Sequence, residues 1–102
     1  MTVAERDGTI VGVVQPLDDE VNGLWVDPTA QRTGVGPVLL RSAERQITAA
    51  GYCRAWITCS GFNPGALRFY LREGYRETRR LNKEIASGLL DELIILERSF
   101  DN

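Results

Sequence analysis

Short apolar runs separated by turn signals fill the first quarter of the chain, and this pattern predicts three consecutive strands. Thr2 to Glu5 is typical of a short strand, and Asp7-Gly8 of a tight hairpin turn. The β-branched run from Thr9 to Val14 predicts the returning, buried strand. We expect a turn at Pro16 to Asp19, and a third strand from Glu20 to Val26 that ends before the next proline.

Helical spacing of apolar residues follows this strand. Pro37 suits the first helical position, the apolar stripe continues to Ala50, and Gly51 suits the C-terminal end, so we predict the first helix between them. The next strand is predicted at Ala55 to Cys59.

A second helix and two further strands complete the pattern. Asn63-Pro64 predicts an N-cap with proline at the first position of a helix that runs to about Glu73, with Gly74 as its end. Strands are predicted at Tyr75 to Arg80 and at Leu93 to Glu97, joined by a polar connection through Lys83, Ser87 and Gly88. The order β-β-β-α-β-α-β-β predicts one α+β domain over residues 1–102, with a mixed, mainly antiparallel sheet.

Composition excludes several kinds of function. The net charge of -2 and the pI near 5.1 argue against nucleic acid as a partner. The chain has no histidine, so Ser-His-Asp catalysis and histidine-ligated zinc are excluded, and we expect no metal. We expect no membrane partner, because no apolar run approaches the roughly 20 residues that span a bilayer. Two cysteines are too few for a disulfide framework, and the expected location is the cytoplasm.

The segment between the third strand and the first helix carries most of the chemistry. Gly34 and Gly36 have no Cβ and can turn their backbone N–H groups inward, and the following helix adds the positive end of its dipole. Such a loop binds phosphate groups with the main chain alone. The spacing differs from Gly-x-Gly-x-x-Gly, and the pattern lacks repeated crossovers, so a dinucleotide-binding domain is disfavoured.

Two signatures make the chain resemble the GNAT (N-acetyltransferase) superfamily. Gln31-x-x-Gly34-x-Gly36 matches the loop that cradles the coenzyme A pyrophosphate, and Asn63-Pro64-x-Ala66-x-x-Phe69-Tyr70 followed by Gly74-Tyr75 matches the second signature. The strand Leu24-x-Val26-x-Pro28 fits as well, and the resemblance covers about Thr2 to Phe100. It implies splayed central strands that form a coenzyme A groove.

The resemblance also implies the site residues. Acetyl-CoA would be the co-substrate, with main-chain contacts at the splayed strand, one of which would hold the oxyanion, and N–H groups of the loop on the pyrophosphate. Pro37 departs from the pattern, since it lacks one N–H donor. The implied coenzyme-binding residues are Leu24, Val26, Gln31, Arg32, Thr33, Gly34, Val35, Gly36, Asn63 and Tyr70.

Acetyl transfer to an amine also needs a base and an acid. Tyr70 matches the family tyrosine near the coenzyme sulfur and is the candidate general acid, and Glu20 stands where one branch of the family carries its general base. Structural interpretations stay open: Asn63 as only a cap, Tyr70 as a core aromatic, Glu20 as a solvated carboxylate at the start of a strand. Cys59, a further candidate nucleophile, is more typical of a buried small side chain.

The family normally begins with another strand and two helices that this chain lacks, so we expect either a minimal member or the C-terminal part of a longer one. The missing elements would leave the first strand as an exposed edge, and a second subunit in a homodimer is expected to fill the gap. The predicted function is acetyl-CoA-dependent N-acetylation of a primary amine, on a small molecule or a protein, by direct transfer in a ternary complex. The alternative is a non-catalytic acyl-CoA-binding or sensing domain. The acceptor itself is left open.

Overall fold

Six strands and two α-helices follow one another in the predicted order. The structure is a computed structural model that describes residues 1–100. The strands form one open sheet in the order β1-β2-β3-β4-β6-β5, so the prediction of a mixed, mainly antiparallel α+β fold is confirmed. The elements are β1 (Thr2–Arg6), β2 (Thr9–Leu17), β3 (Glu20–Val26), a 3₁₀ turn (Pro28–Ala30), α1 (Val35–Ala49), β4 (Arg54–Ser60), α2 (Pro64–Arg72), β5 (Arg76–Ala86) and β6 (Leu89–Ser99).

Two compact units can be distinguished among the described residues. The first comprises Met1–Ala55 with Phe100, and the second comprises Trp56–Ser99. The predicted single domain over residues 1–102 stays a prediction, and its last two residues lie outside the described part.

The first unit begins with the predicted hairpin. Arg6 pairs with Thr9 across the turn, and Asp7 and Gly8 both have positive φ, at 52° and 79°. This is the geometry of a two-residue turn that matches the twist of antiparallel strands.

The expected turn at Pro16 was wrong in its extent, because β2 continues through Pro16 to Leu17 and only Asp18 and Asp19 turn the chain. Pro16 pairs with Val21 of β3, but the pairing of β2 with β1 ends at Val14. Pro16 therefore lies where one edge of β2 is no longer paired, and a residue without an N–H is tolerated there.

Helix α1 packs on the first three strands by its apolar face. Leu39, Leu40 and Ile47 are each at most 1% exposed, and the strand residues Val14 and Val21 are at most 2% exposed. The predicted start was wrong by two residues: α1 begins at Val35, so that Pro37 is its third residue. Proline fits there because the first turn of a helix has no intrahelical use for its N–H groups.

The second unit packs α2 against its strands. Asn63 is the N-cap, as predicted, and Pro64 is the first helical residue. The helix ends one residue earlier than expected, at Arg72, and Gly74 follows with φ 99°. The buried residues of this unit are Ile57, Cys59, Tyr70, Tyr75, Ile94 and Leu96.

The last two strands are much longer than predicted. Both β5 and β6 have 11 residues, and the expected polar connection shrinks to the turn at Ser87 and Gly88, where Gly88 has φ 73°. Every residue of β5 is exposed, so the strand has no alternation of buried and exposed positions for a sequence pattern to reveal.

Candidate functional site

The first half of the glycine-containing loop is held rigidly to the end of β3. The N–H of Asp27 donates to the carbonyl of Val11 at 2.8 Å. The Asp27 carboxylate accepts from the Thr29 N–H at 2.9 Å and from its hydroxyl at 2.6 Å. These two hydrogen bonds, the hydroxyl bond first, lower the pKa of Asp27. The carboxylate is therefore engaged in shaping the turn.

The second half of the loop turns sharply into α1. Arg32 and Gly34 both lie in the left-handed region, with φ 65° and 91°. The amide of Gln31 reaches back to the carbonyl of Val26 at 3.4 Å, and the Thr33 hydroxyl donates to the carbonyl of Ala30. The loop thus folds on its own main chain and leads directly into the helix.

The helix N-terminus offers donors without a competing negative charge. Gly34 is the N-cap and has no side chain to accept a hydrogen bond, and the first turn contains no acidic residue. Val38 makes the first bond, to the Gly34 carbonyl at 3.3 Å. Helix geometry leaves the N–H groups of Gly34, Val35 and Gly36 without intrahelical partners, and the helix dipole makes this end positive. The arrangement suits a phosphate group.

Strand β3 carries a bulge at Leu24, one of the two residues whose main chain was predicted to contact the coenzyme. Between the pairs Val13–Trp25 and Gln15–Asn22, β3 has two residues, Gly23 and Leu24, where β2 has one. Gly23 has φ 68°, as a glycine bulge requires. A bulge bends its strand and disrupts the ladder locally, so the main chain at Leu24 departs from regular pairing with β2.

Glu20 lies at the opposite end of β3 from this loop. It is half-buried and pairs with Leu17 across the Asp18-Asp19 turn. Val26 is six positions further along β3, a span of at most roughly 20 Å. Glu20 is thus remote from the glycine-containing loop that follows its strand.

Two side chains contact the carboxylates of the acidic turn beside Glu20. Arg54 approaches the Asp19 carboxylate at 3.9 Å, and the Tyr52 hydroxyl points to Asp18 at 3.5 Å. The negative charge of Asp18 is the main cause of a raised pKa at Tyr52. The turn therefore places two carboxylates, Asp18 and Asp19, beside Glu20.

In the second unit, Asn63 is the N-cap of α2. Its side-chain oxygen accepts from the Ala66 N–H at 3.1 Å and caps α2. The side-chain amide N–H groups of Asn63 have no acceptor among residues 1–100. Capping therefore leaves donors of Asn63 for another group.

Tyr70 is buried on α2, but its hydroxyl is accessible. The residue is 7% exposed and packs edge-on against Phe69 and Tyr75, with ring centroids 5.2 and 6.0 Å away. No described residue hydrogen-bonds to its hydroxyl, and no fully buried side-chain polar atom in the described part is left unsatisfied, so the oxygen keeps some exposure to solvent. Burial raises the pKa of Tyr70, and the nearby Cys59 thiol raises it further. At neutral pH, Tyr70 is a protonated phenol.

The predicted site residues fall into two groups. Leu24, Val26 and the segment from Gln31 to Gly36 follow one another in the first unit, and in the second unit Asn63 caps α2 while Tyr70 lies within it. Sequence reasoning missed Arg6, whose guanidinium Nη2 donates to the Thr33 hydroxyl at 3.2 Å. Its position at the hairpin turn was the only signal, because nothing local connects it with a loop 27 residues away.

Both cysteines are free, with Cys53 exposed and Cys59 buried. Burial raises the pKa of the Cys59 thiol, which makes it a poor nucleophile at neutral pH. Within residues 1–100, no helix combines the length and apolarity needed to cross a membrane.

Comparison with known families gives a match over most of the chain. A family model described as an acetyltransferase (GNAT) domain matches residues 1–77. This segment contains the loop, the bulged strand and all of α2.

Solved structures with the same fold are numerous. A Bacillus anthracis protein assigned as a streptothricin acetyltransferase, solved in complex with acetyl coenzyme A, is 18% identical with a TM-score of 0.91, over 97% of this chain and 62% of that chain. The ribosomal-protein-alanine N-acetyltransferase from Brucella melitensis is 19% identical with a TM-score of 0.76, over 95% of this chain and 66% of that one. An Agrobacterium tumefaciens protein classed as an acetyltransferase is 29% identical with a TM-score of 0.73, over 98% and 72%.

The chain is shorter than these relatives. It spans 59% of the Rhodopseudomonas palustris structure and 67% of the Desulfovibrio desulfuricans structure that also match it. At identities below 25%, the likenesses show the fold.

Proposed function

Because the chain belongs to the GNAT acetyltransferase family, we propose that it transfers the acetyl group of acetyl-CoA to a primary amine by direct attack in a ternary complex. The resemblance found in the sequence is confirmed at the level of the family. The observation that carries the proposal is the loop from Gln31 to Gly36, an acid-free helix N-terminus that follows a bulged strand.

Acetyl-CoA would be held mainly by main-chain groups. The N–H groups from Arg32 to Gly36 would bind the pyrophosphate, with Gln31 fixing the loop. Leu24 and Val26 would pair with the amides of the pantetheine arm, and the bulge at Leu24 supports this role because it breaks regular pairing there. Asn63 would use its remaining amide donors.

The chemical step needs no metal or covalent intermediate. The neutral amine nitrogen attacks the thioester carbonyl carbon, and an N–H group of β3 stabilises the oxyanion. The C–S bond then breaks, the amine proton goes to Glu20 directly or through water, and the Tyr70 hydroxyl gives its proton to the departing thiolate. Thioester and pyrophosphate occupy opposite ends of the pantetheine arm, so a base remote from the loop is consistent with this scheme.

The acceptor class is primary amines, free or on a protein. The acidic turn at Asp18 and Asp19 beside Glu20 supports a cationic acceptor, because it would attract an ammonium group before deprotonation. We also place the enzyme in a reducing compartment such as the cytoplasm, consistent with its free thiols.

Thiol release tests this function. Acetyl-CoA is incubated with the chain and a panel that includes polyamines, aminoglycosides, lysine peptides and peptides with free N-termini, and free coenzyme A is titrated. Amine-dependent release with intersecting initial-velocity lines is expected. Coenzyme binding with no release across the panel would instead support the non-catalytic, sensing alternative.

A homodimer is the proposed assembly. β1 is one edge of the sheet, and Val3 and Ile10 on its hairpin are 44% and 52% exposed. Exposed edges with apolar side chains pair readily with a second copy. A dimer is expected in sedimentation velocity at micromolar concentration, and a monomer there would contradict the assembly without affecting the proposed chemistry.

A further inference from the structure

Arg6 holds an unpaired positive charge against the phosphate-binding loop. It is the last residue of β1, and its Nη2 donates to the Oγ1 of Thr33 at 3.2 Å. No described carboxylate forms an ion pair with Arg6. An exposed arginine directed at a loop rather than at an acidic partner calls for a ligand.

The hydrogen bonds of Thr33 fix the guanidinium in place. The Thr33 hydroxyl gives its own proton to the Ala30 carbonyl, so its oxygen is left as an acceptor for Arg6. One donor of the guanidinium is used in this bond, and its other N–H groups remain available. A planar fork of donors matches two phosphate oxygens at once.

The loop lacks one N–H donor and any full positive charge of its main chain, and a cation such as Arg6 would supply both. Pro37 occupies the third position of α1 and removes one N–H from the helix end that faces the ligand. The main chain supplies only partial charges, whereas a pyrophosphate carries full negative charges.

We infer that Arg6 binds the pyrophosphate of acetyl-CoA and makes the enzyme selective for thioesters that carry a diphosphate over acyl-pantetheines. The inference rests on the proposed function, since it assigns a side chain to the same coenzyme site. Thr33 acts as the positioning residue for Arg6.

Three acetyl donors, namely acetyl-CoA, acetyl-dephospho-CoA and S-acetylpantetheine, and two substitutions test the role of Arg6. For Arg6→Gln, the Kd of acetyl-CoA is expected to rise about three- to tenfold. The Kd of acetyl-dephospho-CoA should rise by the same factor, and the KM of S-acetylpantetheine should not change. Thr33→Val should weaken acetyl-CoA in the same direction, and adding it to Arg6→Gln should cause little further loss, as for coupled residues.

Arg45→Gln is the matched control. It removes the same charge from an exposed position of α1, ten residues or about 15 Å along the helix from Val35. It should leave all three donors unaffected. An unchanged acetyl-CoA Kd in Arg6→Gln overturns the inference, and so does a loss confined to acetyl-CoA, which would assign Arg6 to the 3′-phosphate. If the wild-type chain binds no acetyl-CoA, the proposed function itself fails.

Discussion

A Cβ atom on Gly12 would lie 2.7 Å from the Cδ1 of Leu39, closer than real side chains approach. Gly12 pairs with Val26 at the end of β3, and Leu39 belongs to the second turn of α1. The absence of a side chain at Gly12 therefore lets the start of α1 approach the sheet, and this approach positions the glycine-containing loop that we propose binds phosphate.

Gly12→Ala is expected to destabilise the protein by about 1–3 kcal/mol, because Leu39 is buried and the carbonyl of Trp25, 3.2 Å from the added atom, is main chain and cannot yield. Urea unfolding followed by circular dichroism measures this. Gly65→Ala is the control: its added Cβ would meet only the Asn63 Oδ1, at 3.7 Å, and helix propensity predicts a gain of up to about 1 kcal/mol. Equal stability of the two variants would contradict the packing argument.

Substitutions can separate the two proposed roles of Asn63, which are capping of α2 and binding of acetyl-CoA. Asn63→Ala should cost about 1 kcal/mol through loss of the cap to Ala66. Asn63→Asp keeps a capping oxygen and should retain stability, but it replaces the amide donors by a negative charge and should weaken acetyl-CoA binding severalfold. Thermal unfolding and coenzyme titration of both variants are the measurements. If Asn63→Asp binds as tightly as wild type, Asn63 is a cap alone.

Stability should fall at alkaline pH because of Tyr70. Its pKa is raised in the folded protein above the ordinary value of 10.0, so folding favours the protonated phenol. The contribution is complete below pH 10 and is lost as the pH rises further through the folded-state value. Urea unfolding between pH 7 and 11 should show a decline above pH 10 that is smaller in Tyr70→Phe.

The same substitution tests the role of Tyr70 as acid. The hydroxyl has no hydrogen-bond partner among residues 1–100, so Tyr70→Phe should unfold normally at pH 7. Its kcat should nevertheless fall roughly 100-fold or more. Unchanged turnover would remove the assignment.

Glu20→Gln should lower kcat about 100-fold, because no other group is expected to take the amine proton, while the KM of acetyl-CoA stays constant. Asp18→Asn removes an equal charge nearby, and asparagine tolerates the positive φ of 54° at that position. This control should keep kcat close to the wild-type value. An equal loss of kcat in both variants would indicate a general effect of charge instead of a base at Glu20.

Much of the fold could be predicted because turn and cap residues, and the spacing of apolar residues, all pointed to the same helices and strands. The hairpin at Asp7-Gly8, the strand Glu20–Val26 and the cap at Asn63 were all evident in the sequence. Where one face of a helix or strand is buried, its apolar residues recur with the period of that element and can be recognised in the sequence.

The errors occur where that relation fails. β5 is exposed throughout, so its extension to Ala86 leaves no periodic trace. Pro16 continues β2 because β1 no longer pairs beside it, which is a tertiary circumstance. The contact between Arg6 and Thr33 joins a hairpin to a distant loop, and no spacing along the chain encodes it.

The central claim is that the Gly34 loop binds the pyrophosphate of acetyl-CoA, and calorimetric titration of Gly34→Asp against Gly34→Asn tests it most directly. Both substitutions place a side chain at the same positive φ of 91°, which strains either residue, and no atom lies within 4 Å of the added Cβ, so the two variants should lose about the same stability. Saturable binding is expected for wild type and Gly34→Asn, with at least about tenfold weaker binding for Gly34→Asp, because its carboxylate would repel the pyrophosphate. Equal affinity in the two variants, or no binding by wild type at millimolar acetyl-CoA, would contradict the account.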